Sequence, residues 1–309
     1  ILMFVIRPLN IFFGTINSNL KSKQKILLAW IAPRGIVAAA VASYFAIELE
    51  KNGMDGSQLR AMVFLLIAVT VLSAGLTGGF VAKLLGLKRQ SEHGWVILGA
   101  NAVGRELARA LKKGGEDVVM IDANPSLCRL AEKEELKVIY GNALEESVLL
   151  RAEIDIRKGA IGLSENEEVN MLFAKRAKEE GKVPETFISI KRDDESVTAE
   201  MVAEVDGNIP FGRARDLEKW SVWIRHAQVE TYKLICQFDD DVTAGDTFGK
   251  ETEGVVIPLI FMRNTKVTPL GHLTELKKDD QITCLVLTEK KDQFNAWLAK
   301  SVFSSNTIS

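Results

Sequence analysis

The stretch WVILGANAVGRELARAL, residues 95–111, decides the fold. Its four leading apolar residues, Trp95 to Leu98, fit a short strand buried on both faces. A turn follows, and then Val103, Leu107 and Leu111 recur at the spacing of one helix face. A second apolar run, VVMID at 118–122, predicts a strand after that helix. A helix over 125–135 and strand-like runs at 138–141 (VIYG), 160–164 (AIGLS) and 186–190 (TFISI) continue the alternation. Short apolar strands separated by helices predict an α/β Rossmann-like domain with a parallel sheet.

The turn itself reads G-A-N-A-V-G, Gly99 to Gly104. The dinucleotide fingerprint is G-x-G-x-x-G, followed about 20 residues on by an acid that bonds the ribose. Asp122, at the end of the second strand, stands where that acid belongs. The middle position is Asn101, however, and a side chain there obstructs the approach of backbone to pyrophosphate. The context therefore supports the fold more strongly than it supports retained binding. A binding domain and a non-binding scaffold both stay open.

Upstream of this domain the composition is different. Residues 1–90 carry ten Lys/Arg against three Asp/Glu, although the whole chain has a net charge of −2. Ile26 to Ile47 holds one charge, and Ala61 to Ala82 holds none. About 20 apolar residues span a bilayer, so both stretches are long enough. A core helix of a soluble protein is the alternative for each, and the lack of a polar stripe on either argues against it. Gly35, Ala38 to Ala40, Gly75, Gly78 and Gly79 suit close packing of membrane helices. Arg7, Lys21, Lys23 and Lys25 precede the pair and Lys83, Lys88 and Arg89 follow it, while the connection is slightly acidic. Positive flanks face the cytoplasm, so everything after about residue 90 is expected there. The chain opens ILMFVIRPLN, with its positive charge after the apolar run, unlike a signal peptide. It is expected to be the C-terminal part of a longer protein.

One charge interrupts the first apolar stretch, AWIAPRGIVAAAVASYF at 29–45. An arginine at bilayer depth costs about 2.5–3.5 kcal/mol on insertion scales, so Arg34 needs water or a partner. Glu48 is the nearest acid in that helix, about 21 Å along its axis, and is out of reach. Two readings stand: Arg34 snorkels to the headgroups, or it pairs with an acid on another helix, which is the favoured reading. Pro33 leaves the carbonyl of Ala29 without its helical partner, and with Gly35 alongside a kink is expected there.

Beyond residue 190 the pattern loosens. Helical stretches near 196–205 and 213–228 precede strand-like runs at 232–238, 254–262 and 281–287, and a short helix near 292–300 closes the chain. These predict a small α+β lobe, and the chain divides into 1–90, 91–230 and 231–309. Cys128, Cys236 and Cys284 are odd in number and form no C-x-x-C pair, so neither a disulfide scaffold nor a zinc site is expected. His93, His226 and His272 are scattered outside any catalytic motif, and no enzymatic activity is expected. His93 reads as a linker residue. The charged stretches 145–158 and 191–195 read as solvated faces or loops, and 238–241 as a polar turn in preference to a metal site.

Two separate parts of the sequence resemble one arrangement. AWIAPRGIVAAAVAS with FLLIAVTVLSAGLTGGFVAKLLGL resembles the last two transmembrane helices of bacterial monovalent cation/proton antiporters of the sodium/proton-exchanger type. HGWVILGANAVGRELARAL, VVMIDANP, VIYGNAL and AIGLSENEEVNMLFAKRA resemble the TrkA-N domain, also called RCK. The likeness covers residues 1 to about 230, and the last lobe is only faintly similar to the companion TrkA-C domain. The resemblance implies Na+ or K+ exchange for H+ across the bacterial inner membrane, with the ion-binding helix outside this chain. It implies that Arg34 pairs with an acid of the transport core. It also implies a nucleotide, NAD(H) or an adenine nucleotide such as ATP or AMP, on Gly99, Asn101, Gly104, Asp122, Gly141, Asn142 and Ser164. Asn101 departs from the usual Gly, and Asn142 stands where the family usually has Asp. A homodimer in a lipid bilayer is the implied assembly, and nucleic acid is not an expected partner. The alternatives are an RCK-regulated potassium channel or transport subunit, though no T-V-G-Y-G filter is present, and a membrane protein with a non-binding Rossmann domain.

Overall fold

The computed structural model describes residues 7–15, 18, 22–31, 36–85, 93–191, 196–237, 242–301 and 303–307. It divides at Arg89 into an N-terminal and a C-terminal unit. The N-terminal unit is helical: α1 (Arg7–Gly14), α2 (Ser22–Ile31), α3 (Ile36–Lys51) and α4 (Ser57–Leu84). Among the described residues, α4 is the one helix long and apolar enough to cross a membrane. The sequence predicts two such spans. The first is represented by α2 and α3, of 10 and 16 residues. Residues 32–35 between them, which include Pro33, Arg34 and Gly35, lie outside the described residues. The expected kink and the pairing expected of Arg34 fall on these residues.

Small residues set the packing inside this unit. Ala46 is fully buried, and a Cβ on Gly56 would fall 2.0 Å from its carbonyl oxygen. A Cβ on Gly78 would touch Ile31, and the Trp30 Nε1–H donates to Thr77 Oγ1 at 2.9 Å. The Thr70 and Thr77 hydroxyls donate to carbonyls one turn back, which leaves α4 no bare hydroxyl at those positions. Leu76, Phe80 and Leu84 are 82%, 69% and 76% exposed. In water that surface is unfavourable, at about 25 cal/mol per Å² of apolar area, and a hydrocarbon solvent removes the penalty.

The C-terminal unit begins with β1 (Trp95–Leu98), α5 (Ala102–Lys113), β2 (Val118–Asp122), α6 (Pro125–Lys133), β3 (Lys137–Tyr140) and α7 (Glu146–Arg151). After a 3-10 turn come β4 (Gly159–Gly162), α8 (Glu167–Glu179) and β5 (Glu185–Ile188). The five strands are parallel, in the order β3-β2-β1-β4-β5. Both halves of the sheet grow outward from β1, so the direction in which strands are added reverses between β1 and β4. Burial of every residue of β1 explains its unbroken apolar run. Gly159 is required because a Cβ there would lie 1.9 Å from the Trp95 ring.

Two short helices, α9 (Ala199–Glu204) and α10 (Leu217–Arg225), lead into the last lobe. It comprises β6 (Val229–Cys236), β7 (Val242–Thr243), α11 (Ala244–Thr247), β8 (Val256–Arg263), β9 (Lys266–Pro269), β10 (Glu275–Leu276), β11 (Gln281–Leu287), α12 (Lys291–Lys300) and β12 (Phe303–Thr307). Its main sheet runs β12-β6-β11-β8-β9, with every pairing antiparallel. Helix α5 is buried from two sides. Val103, Leu107 and Leu111 share one core with Ile97 and Ile161 of the parallel sheet and with Ile257, Ile260 and Leu285 of the second sheet. Each buried Leu there contributes about 1.5–3 kcal/mol, so the helix carrying the glycine turn is held firmly.

The expected solvated face at 145–158 needs a correction. Val148 and Leu149 are buried, and Arg157 has no exposed surface. Its Nε donates to Ala152 O, and its Nη1 pairs with Asp117. The charges in that stretch hid a docking face. Residues 192–195 and 238–241 lie outside the described residues.

Candidate functional site

The chain leaves β1 at Gly99, whose φ is +106° and whose added Cβ would lie 2.8 Å from Leu163 O. Only glycine fits that turn without strain. Ala100 N donates to Asp122 Oδ2 at 2.6 Å, and Asn124 N donates to Asp122 Oδ1 at 2.8 Å. The acid at the end of β2 therefore holds the glycine loop with one oxygen and the start of α6 with the other. Gly104 packs so closely under the loop that a Cβ would lie 2.3 Å from Gly99 O.

Asn101 caps α5. Its Oδ1 accepts from Gly104 N at 2.9 Å, and its Nδ2 donates to Leu163 O at 2.6 Å. The side chain is 8% exposed, so it turns inward and ties the loop after β1 to the end of β4. That occupies one of the amides that a helix N-terminus otherwise offers to an anion. The amides of Ala102 and Val103 make no hydrogen bond among the described residues. A sequence view of Asn101 predicts an obstructed loop. In the structure the residue withdraws a donor, and its amide group stays buried.

The other expected residues meet at the same edge. Gly141, with φ +155°, follows β3 and donates its N–H to Asp122 O at 3.0 Å. Asn142 Oδ1 accepts from Leu144 N at 3.0 Å. Ser164 follows β4, and its hydroxyl donates to Asn170 Oδ1 at 2.7 Å. All seven residues thus lie at or just after the carboxyl ends of β1, β2, β3 and β4, around the switch point where open α/β sheets bind ligands.

Two supporting residues carry no motif. Arg105, 6% exposed, reaches back with Nη1 to Ala100 O at 2.7 Å and with Nε to Glu134 Oε1 at 3.0 Å. Asn170, fully buried, bridges Ser164 to Ser189 O. A polar residue on the apolar face of a helix is the signal for both, but only the fold shows what it faces. Burial, with Asp122 nearby, raises the Cys128 thiol above its ordinary pKa, so it is not a reactive thiolate. Among the described residues no group of three His, Cys, Asp or Glu could hold a metal ion.

The crevice defines the class: a Rossmann-like domain with a glycine loop, a helix N-terminus and an acid at the second strand. Residues 95–207 match the family profile of the TrkA-N domain. The chain is also 30% identical over 111 residues to Na(+)/H(+) antiporter 1 of Methanocaldococcus jannaschii, covering 29% of this chain and 26% of that protein. It thus spans about a quarter of that curated relative. Among solved structures it is similar to the TrkA-N domain of the inner membrane protein ybaL from Escherichia coli. That match has 17% identity and a TM-score of 0.36, over 43% of this chain and 96% of that one. The GsuK channel bound to NAD is similar at 14% identity and TM-score 0.34, over 90% of this chain and 60% of that one. Residues 95–207 thus match the TrkA-N domain, and a 111-residue stretch of the chain is similar to part of an antiporter.

Proposed function

We propose that the chain is the regulatory end of a monovalent cation/proton antiporter of the bacterial inner membrane. In this reading the two apolar stretches are its last membrane spans, and residues after about 90 face the cytoplasm. Na+ or K+ moves against H+, and the TrkA-N domain biases that exchange by binding a nucleotide, NAD(H) or an adenine nucleotide. One observation carries the reading. The glycine loop, Asp122 and the ends of β3 and β4 meet at the carboxyl edge of one parallel sheet, around its switch point, with the Ala102 and Val103 amides unbonded among the described residues. A nucleotide phosphate would meet those amides, and Asp122 would have to share its carboxylate with the ribose. Arg34 pairs with a carboxylate of the transport core and lowers that group's proton affinity. The protein works as a homodimer, and the lobe from 231 onward is the TrkA-C-like companion.

Binding alters transport only if the two transporter states bind the nucleotide unequally. The test is cation-driven proton movement in proteoliposomes of the intact antiporter, with NADH, NAD, ATP or AMP on the cytoplasmic side. A nucleotide-dependent change of rate supports the reading, and identical rates with all four refute it. A second reading, a structural domain without ligand, is favoured by the inward hydrogen bonds of Asn101. Calorimetry on the full chain separates the two.

A further inference from the structure

A second polar cavity lies in the C-terminal unit, away from the glycine loop. It measures about 300 Å³ and is lined by Arg215, Asp216, Lys219, Trp220, Trp223, Glu253, Gly254 and Lys290. Its residues come from the start of α10, the loop before β8 and the turn before α12, so no motif announces it. Arg215 is the unusual member. It is 2% exposed, and it forms no salt bridge among the described residues. Its Nη1 donates to Thr252 O at 3.2 Å and its Nη2 to Thr252 Oγ1 at 3.2 Å, while its Nε–H is buried with no acceptor. The neighbouring Arg213 also keeps a buried Nε–H without an acceptor.

Burying a guanidinium costs several kcal/mol unless good partners replace its water. Uncharged carbonyl and hydroxyl oxygens replace it only in part. Burial and then the Arg213 charge draw the Arg215 pKa down to about 10, against the opposing pull of Glu253, so it stays cationic at neutral pH. Two further cations face the same space. Lys219 is held by Asp216 at 3.1 Å, and Lys290 has no ion pair among the described residues. Trp223, packed edge-on against Trp220 with ring centroids 5.2 Å apart, supplies an aromatic wall. Guanidinium and ammonium donors together match the several oxygens of a phosphate, which accept charge-assisted hydrogen bonds. The space exceeds a bare ion and leaves room for an organic part beside the indole.

We propose that this cavity binds a small phosphorylated molecule, its phosphate on Arg215, Lys219 and Lys290 and its organic part against Trp223. The site stands apart from the glycine loop and does not depend on the nucleotide reading.

The test is a titration of the full chain in detergent with inorganic phosphate and with phenyl phosphate, read by tryptophan fluorescence. Ionic strength is held constant with chloride. Saturable quenching is expected in the wild type, with phenyl phosphate binding at least as tightly as phosphate. Because Arg215→Gln disturbs a buried site and its folding is not assured, Lys290→Gln and Lys219→Gln carry the decision. Loss of one charge-assisted contact weakens binding about tenfold in Lys290→Gln, and Lys219→Gln shows a smaller loss. No saturable signal in the wild type, or unchanged affinity in both lysine variants, overturns the assignment. In the second case the anion is bound elsewhere, at the glycine loop or adventitiously.

Discussion

The glycine-loop crevice and the Arg215 cavity treat polar groups in opposite ways. At the crevice nearly every side chain is bonded within the protein: Asp122 holds two amides, Asn101 closes the loop on Leu163, and Ser164 rests on Asn170. At the cavity the buried Nε–H of Arg215 finds no acceptor. An internally bonded loop is shaped before any ligand arrives, and its affinity is set by what the ligand must displace. A cavity with open donors holds unfavourable burial that an anion relieves. The expected signature is therefore stability at the first site and ligand response at the second.

The largest effect is expected from Gly104→Val, which forces a side chain into the space under the loop where a Cβ already lies 2.3 Å from Gly99 O. A backbone overlap of that kind costs about 4 kcal/mol or more. Denaturant unfolding followed by near-UV circular dichroism would show it as a much lower midpoint. A near-wild-type midpoint would mean that the loop is not preshaped.

Asn101→Gly is expected to have a smaller and two-sided effect. Leu163 O loses its donor and α5 its cap, a destabilisation of about 1–2 kcal/mol. The Gly104 amide is freed at the same time, so dinucleotide affinity should rise while stability falls. Opposite signs in thermal unfolding and in calorimetry check the distinction between shaping and binding.

A weaker handle lies in the last lobe, in the turn between β9 and β10. His272 Nδ1 accepts from Ile209 N at 2.9 Å, and burial lowers the pKa of His272. The folded state therefore favours the neutral ring. Its contribution is present above the unfolded value of about 6.5 and is lost as pH falls below it through the folded pKa. The thermal midpoint should fall on acidification from about pH 7 to pH 5, and less so in His272→Gln. An equal fall in both proteins would assign the acid response to other groups. The smallest response is expected of the thiols. Burial pushes Cys236 up to about 12 and Cys284 further, so maleimide should label neither until the unit unfolds.

How much of this is legible in the sequence depends on how locally each feature is encoded. The parallel sheet is legible because β1 and β2 carry apolar runs and β3, β4 and β5 keep shorter ones, and the sheet's carboxyl edge then collects Gly99, Asp122, Gly141 and Ser164. The long apolar run of α4 is legible for the same reason. Strands β9 and β12 escape because KVTP and FSSNT carry no apolar period and gain their strand form from pairing with β8 and β6. Arg157 and Arg215 escape because charge normally marks a surface, and only the tertiary fold shows both to be buried. The Arg215 cavity unites residues from 215 to 290, which no linear pattern connects.

The central claim is that the crevice binds a nucleotide despite Asn101, which limits affinity by occupying one amide. Titration calorimetry of NADH into the full chain, wild type beside Asn101→Gly, tests it most directly. Saturable binding in both, about tenfold tighter in Asn101→Gly, is the predicted result. Absence of binding in both proteins, with both folded, would contradict it.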